Sequence, residues 1–192
     1  MKQTIKFVGY IFALVVCFAS CGGNSKSEVN VPTEYGEELV KLAEDGNAEA
    51  QYRLGMCLGK GQGVSQDANE AGKWIEKAAA QGHVEAKLWD AIATENAATP
   101  VEVNKGVVLE KVFIEGDNVT YTYSVNESIL PIENVIQNAE NSKQMMISAF
   151  HSTEKGNNFA QLCKDANKGI LYYYVGSSSN RNCTIKIEPS DL

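Results

Sequence analysis

The chain has 192 residues, 44% hydrophobic and 21% charged, a balance that excludes a disordered or collagen-like protein. Lys and Arg number 17 against 24 Asp and Glu, a formal net charge of -7, so there is no cationic surplus for phosphate backbones and no nucleic-acid partner is expected. Two histidines and five scattered cysteines leave little material for a metal site, and neither metal nor cofactor is expected.

The chain begins with an address. Lys2 and Lys6 lead into an uncharged, mostly apolar run from Phe7 to Ala19. That run falls short of the roughly 20 apolar residues a spanning helix needs, and it fits the h-region of a secretory signal. It ends in Phe18-Ala19-Ser20-Cys21, followed by Gly22-Gly23. This resembles a bacterial lipoprotein signal with its lipobox. The resemblance implies cleavage before Cys21, a diacylglycerol on its thiol and a lipid-anchored place in the bacterial cell envelope. Gly22 after the Cys implies, by the same resemblance, the outer membrane, with the protein facing the periplasm. Residues 1–20 are then signal peptide, and residues 21–33 read as a flexible tether.

Next comes a repeat. Ala43, Gly46, Glu49 and Ala50 recur 36 residues later as Ala79, Gly82, Glu85 and Ala86, and Lys41 recurs as Lys77. A fixed period of this size points to a helical solenoid. The periodicity agrees: Ala50, Leu54, Cys57 and Leu58 form one apolar stripe, Ala71, Trp74, Ile75, Ala78 and Ala79 a second, and Val84, Leu88, Ala91 and Ile92 a third. Gly59-Lys60-Gly61-Gln62-Gly63 breaks the first helix, and Asp67 is placed to cap the next.

Leu42-Ala43-Glu44-Asp45-Gly46, Ala50-Gln51-Tyr52-Arg53-Leu54-Gly55, Gly61-Gln62-Gly63-Val64 and Trp74-Ile75-Glu76-Lys77-Ala78-Ala79-Ala80-Gln81-Gly82 carry a further resemblance. Residues 37–93 resemble the Sel1-like repeat, a relative of the tetratricopeptide repeat. The resemblance implies an α/α superhelix and a role in protein–protein scaffolding. Tyr52, Arg53, Lys87 and Trp89 are the candidate partner contacts. One full repeat with a half-repeat helix on each side is short of the three that a solenoid normally needs. Residues 34–98 are therefore expected to share an apolar interface with residues 101–192.

After Pro100 the period changes to two. Residues 107–115 and 119–125 alternate around the turn Gly116-Asp117-Asn118. Two helical stripes follow, one through Ile132, Val135, Ile136, Ala139, Met146 and Phe150, the other through Phe159, Leu162, Cys163 and Ala166. Residues 170–175 and 183–188 then alternate again. The order ββααββ predicts an α+β layer with an antiparallel sheet and helices on one face. The other face is expected to carry some of Tyr121, Tyr123, Tyr172, Tyr173 and Tyr174 and to pack against the repeat helices.

Four arrangements have chemical overtones. The Gly59–Gly63 loop lies between helices, where a phosphate loop would follow a strand. Ser152 and Lys155 have the spacing of serine acyl-enzymes, at a helix end with no K-T-G beyond. His151 with Glu154 and His83 with Glu85 lack a third metal ligand. Cys163 and Cys183 both read as core-facing, which leaves open a disulfide or two buried thiols, while Cys57 reads as a reduced, buried small hydrophobe. The expected function is a cell-envelope lipoprotein acting as a protein-interaction scaffold, with no enzymatic activity. The alternatives are an envelope hydrolase acting on cell-wall material and an inhibitory or structural module that binds through the C-terminal sheet.

Overall fold

The computed structural model describes residues 29–192; the signal peptide, Cys21 and the tether up to residue 28 lie outside the described residues. Four helices come first: α1 (Glu37–Glu44), α2 (Ala48–Lys60), α3 (Ala68–Ala80) and α4 (Val84–Asn96). Their ends repeat as the sequence does. Gly46 and Gly82, 36 residues apart, turn the chain at φ +94° and +93°, a left-handed conformation that glycine adopts without strain. The next residue caps each following helix: Asn47 Oδ1 accepts from the Ala50 N–H at 2.9 Å, and His83 Nδ1 accepts from the Ala86 N–H at 3.3 Å. Asp67 caps α3 in the same way, at 2.9 Å from the Glu70 nitrogen.

The helices are held by small residues as well as large ones. A Cβ added at Gly55 would lie 2.7 Å from Ile75 Cγ1 and 3.0 Å from the Ala71 carbonyl oxygen, so α2 and α3 approach as closely as they do only because residue 55 has no side chain. Leu39, Ala43, Ala50, Leu54, Cys57, Leu58 and Ala71 form the core of the first three helices. Gln51 is buried among them and remains satisfied: it donates to the Ala43 carbonyl at 3.0 Å and accepts from Gln81 at 2.7 Å.

A short link through a cis Thr99–Pro100 peptide leads to β1 (Val101–Asn104), β2 (Val107–Glu115) and β3 (Asn118–Val125). Three helices follow, α5 (Ile132–Gln137), α6 (Ala139–His151) and α7 (Glu154–Asp165), and then β4 (Gly169–Gly176) and β5 (Asn182–Ile187). The strands lie in the order β1-β2-β3-β4-β5.

The expected all-antiparallel sheet is not what forms. β3 and β4 run parallel, with Tyr121 opposite Tyr172 and Tyr123 opposite Tyr174; the other pairs are antiparallel. A parallel pair needs a long crossover, and the three helices between β3 and β4 supply it. The first of the two expected helices is also split. Asn138 separates α5 from α6 and donates its side-chain amide to the Asn134 carbonyl at 2.7 Å, a local bond that competes with the helical ladder. β1 is an edge strand absent from the expected order.

The tyrosines lie on the opposite face from the one expected. Tyr121, Tyr123, Tyr172 and Tyr174 share the face that α4 and α7 cover, stacked with ring centroids 5.2 Å apart for Tyr121–Tyr172 and 4.7 Å for Tyr123–Tyr174. Tyr173 alternates to the other face with Thr120 and Thr122. The repeat helices do meet the sheet, through α4 and on this same tyrosine face. Leu88 and Ile92 of α4 lie in one core with Val112, Val119, Phe159, Cys163, Ile170 and Ile187. Tyr121 donates its hydroxyl to Glu95 at 2.8 Å across that contact. Val31–Leu192 pack as one compact unit.

Candidate functional site

The close approach of α2 and α3 at Gly55 leaves a groove on the side where α4 follows. It encloses about 290 Å³. Its half-buried walls come from Met56 and Gly59 of α2, Gly72 and Ile75 of α3 and Trp89 of α4. Lys60, Glu76 and Asp90 are exposed and carry charge at its border. The lining is mostly apolar, with one aromatic and three charged side chains. Nothing in it resembles a nucleophile with its base.

Of the four candidate contacts, only Trp89 lines the groove. Tyr52 and Arg53 are engaged within the fold. The Tyr52 ring lies 4.6 Å from the His83 ring, and burial pushes its phenol up in pKa. Arg53 pairs with Glu49 and donates to the Val31 carbonyl, tying the N-terminal segment to α2. His83 Nε2 donates to Glu49 at 2.8 Å, since its Nδ1 already accepts from the Ala86 N–H. Burial works against the charge on Glu49, yet the hydrogen bonds from His83 and Arg53 hold its carboxyl below the usual value. Lys87 is exposed and outside the groove. Of the groove residues not named as contacts, Met56, Gly72 and Asp90 sit beside the expected apolar stripes and Ile75 lies within one. Their small or mixed character gave no contact signal before the helix angles were known.

The chemical overtones of the sequence resolve into structural roles. Gly61, at φ +67°, ends α2 in a left-handed cap, and the loop after it opens no phosphate site. Ser152 closes α6, donating to the Ala149 carbonyl at 2.7 Å, while Lys155 belongs to α7, so the pair does not share one helical turn. His151 meets Asn157 at 3.0 Å rather than Glu154. Cys163 and Cys183 lie unbonded and buried in the sheet core, and burial pushes Cys163 up to about 12. Cys57 is likewise buried and free. Among the described residues no group of three or more His, Cys, Asp or Glu is placed to hold a metal, and no helix is long and apolar enough to cross a membrane.

Residues 48–83 match the family model of the Sel1 repeat. The match takes in α2, α3 and the turn into α4. Proteins with Sel1 repeats are typically interaction modules rather than enzymes. The chain is also similar to Chitin synthase regulatory factor 2 of Schizosaccharomyces pombe, 36% identical over 88 residues. That alignment covers 44% of this chain and 16% of the relative, so the chain spans only a small part of the curated relative's length. Among solved structures, a candidate secreted protein of Pseudomonas aeruginosa is similar at 16% identity and a TM-score of 0.47, covering 56% of this chain and 91% of that one. The pilotin of the Vibrio vulnificus type 2 secretion system is similar at 10% identity and a TM-score of 0.40, covering 56% and 90%. Outside the Sel1 repeat, the C-terminal half is assigned to no family.

Proposed function

We propose that this chain is a lipid-anchored protein of the bacterial cell envelope that holds a protein partner in the groove between α2, α3 and α4. The observation that carries the reading is Trp89 lining an apolar groove whose other walls, on α2 and α3, lie within the residues that match the Sel1 repeat. A half-buried tryptophan ringed by charge is the residue type that most often anchors an interface. The partner is a protein rather than a nucleic acid, in keeping with the net charge of -7. The lipid on Cys21 keeps the module at the outer membrane, facing the periplasm, while the tether lets the groove reach its partner. The role is that of a scaffold without catalysis of its own.

A photoreactive residue placed at Ala93, exposed beside Trp89, tests the groove in living cells. The expected result is one discrete adduct, identified by mass spectrometry and lost when Trp89→Ala is added. The same probe at the exposed Glu140, far along the chain on α6, should give none. Equal labelling from both positions would remove the groove from the proposal. The anchor is tested separately: Cys21→Ala should release the protein from membranes or leave it uncleaved, and unchanged retention with a normal mature mass would remove the lipid. Two or three acyl chains, at about 0.8 kcal/mol per buried methylene, hold firmly enough for that difference to be plain on fractionation.

A further inference from the structure

A second cavity, of about 450 Å³, lies where α5 and α6 meet the five strands of the sheet. Its size falls within the roughly 300–1,000 Å³ of small-molecule sites. Tyr123 and Tyr174 line it, with Asn104, Asn134, Asn138 and Ser142 contributed from β1, α5, the α5–α6 junction and α6. No charged residue lines it, in a chain where 21% of residues are charged. The apolar remainder includes Val135 and Ile185.

The polar groups around this cavity are largely unspent. Neither the Tyr123 nor the Tyr174 hydroxyl has a hydrogen-bond partner among the described residues, nor do the Asn134 amide and the Ser142 hydroxyl. Asn138 uses only its amide nitrogen, on the Asn134 carbonyl, and Asn104 only its oxygen, at 2.8 Å from the Lys105 nitrogen. The two tyrosine rings are stacked at 4.7 Å, which holds both hydroxyls in fixed positions. The Tyr174 phenol, pushed up to about 12 by burial, is protonated at neutral pH, as an ordinary phenol is, and can donate.

These features restrict the ligand. An ion entering the cavity would lose hydration and meet no opposite charge. A purely apolar ligand would cover phenols and amides without replacing their water, which is also unfavourable. The groups present are neutral, mix donors with acceptors, and alternate with aliphatic surface. Planar amides and hydroxyls match vicinal hydroxyls, and Val135 and Ile185 match a C–H face. We propose that this cavity binds a small uncharged saccharide. The site lies apart from the Sel1 groove and stands whether or not that groove binds a protein.

The test is methyl-detected NMR titration of the full-length chain with four probes: glucose, N-acetylglucosamine, glucosamine and glucuronate. Either neutral sugar should shift the Val135 and Ile185 methyl signals saturably and leave Ile75, in the other groove, unmoved. The cationic and anionic sugars should bind at least about tenfold more weakly, as one lost hydrogen bond to a charged or desolvated group would give. Tyr174→Phe, which keeps the ring stack, and Asn134→Ala, at an exposed position, should each weaken the neutral sugar by about three- to tenfold. A folded Asn134→Ala protein keeps the comparison available even if Tyr174→Phe unfolds. The proposal is overturned if neither neutral sugar gives saturable shifts, if the charged sugars bind equally well, or if both folded variants bind as the parent does.

Discussion

The side-chain amide of Asn96 pairs with both polar backbone groups of Val112: Asn96 Oδ1 accepts from the Val112 N–H at 2.8 Å, and Asn96 Nδ2 donates to the Val112 carbonyl. Val112 lies in β2 beyond the stretch that β1 covers, so its outward groups would otherwise be an open strand edge. One residue at the end of a repeat helix thus takes the place of a neighbouring strand. Asn96→Ala should leave a buried N–H and C=O unpaired and cost about 1–3 kcal/mol, read from urea unfolding of the whole chain. Asn96→Asp keeps the acceptor only and should fall between. A loss below a few tenths of a kcal/mol would mean that water repairs the edge.

The same contact makes the repeat dependent on the sheet. Leu88 and Ile92, fully buried in the shared core, would be laid open in a chain cut after Thr99. We expect that fragment to melt without a cooperative transition or to aggregate. A sharp transition at the temperature of the full chain would show two independently folding halves divided near residues 98–101.

Two glycines of neighbouring helices should respond in opposite directions. Gly55→Ala drives a methyl to 2.7 Å from Ile75 Cγ1 and 3.0 Å from the Ala71 oxygen, and the strain should outweigh the gain in helix propensity by about 1–2 kcal/mol. Apart from its own helix backbone and chain neighbours, an added Cβ at Gly72 meets no atom within 4 Å, so Gly72→Ala should stabilise by up to about 1 kcal/mol. Thermal melts of the two variants side by side decide the matter, and equal shifts would contradict the packing described for α2 and α3.

Glu127 clasps the β4–β5 turn. Its carboxylate accepts from the N–H and hydroxyl of Ser178 at 2.7 and 2.6 Å and from those of Ser179 at 2.7 Å each. The Ser178 and Ser179 hydroxyls, followed by their backbone N–H groups, bring its pKa from 4.5 down to about 2. A lowered carboxyl pKa stabilises the fold in full above the unfolded value, and the contribution is lost as pH falls from about 4.5 toward 2. A carboxyl NMR titration should therefore give a midpoint near 2, and Glu127→Gln should flatten the acid dependence of stability in that window. A midpoint near 4.5 would mean that the clasp is open in solution.

How much of this was legible beforehand depends on distance along the chain. The stripes of α2, α3 and α4, the Asp67 cap and the turn at Gly116 rest on neighbours a few residues apart, and these are present as read, whereas the stripe from Ile132 to Phe150 is divided at Asn138 into two helices. Trp89 was among the four contact candidates placed on the helix-pair surface, and of these it alone lines the groove. Met56, Gly72 and Ile75 were not, because a groove is a relation between helices that no single stripe encodes.

The sequence by itself determined the longer helices and strands, since 3.6- and 2-residue periods are written in the order of apolar side chains, but the short edge strand β1 and the division of α5 from α6 were not written there. It could not determine the direction in which β4 runs beside β3. Alternation is the same for parallel and antiparallel pairing, and only the length and packing of α5, α6 and α7 decide how the chain returns. Nor could it assign the tyrosines to a face. Tyr172 and Tyr174 alternate against Tyr173, so one set must face the helices, and the choice fell where α4, α7 and Glu95 supply apolar cover and a hydroxyl partner. That cover is assembled from helices that end at Asn96 and begin again at Glu154, and it exists only once the chain has folded.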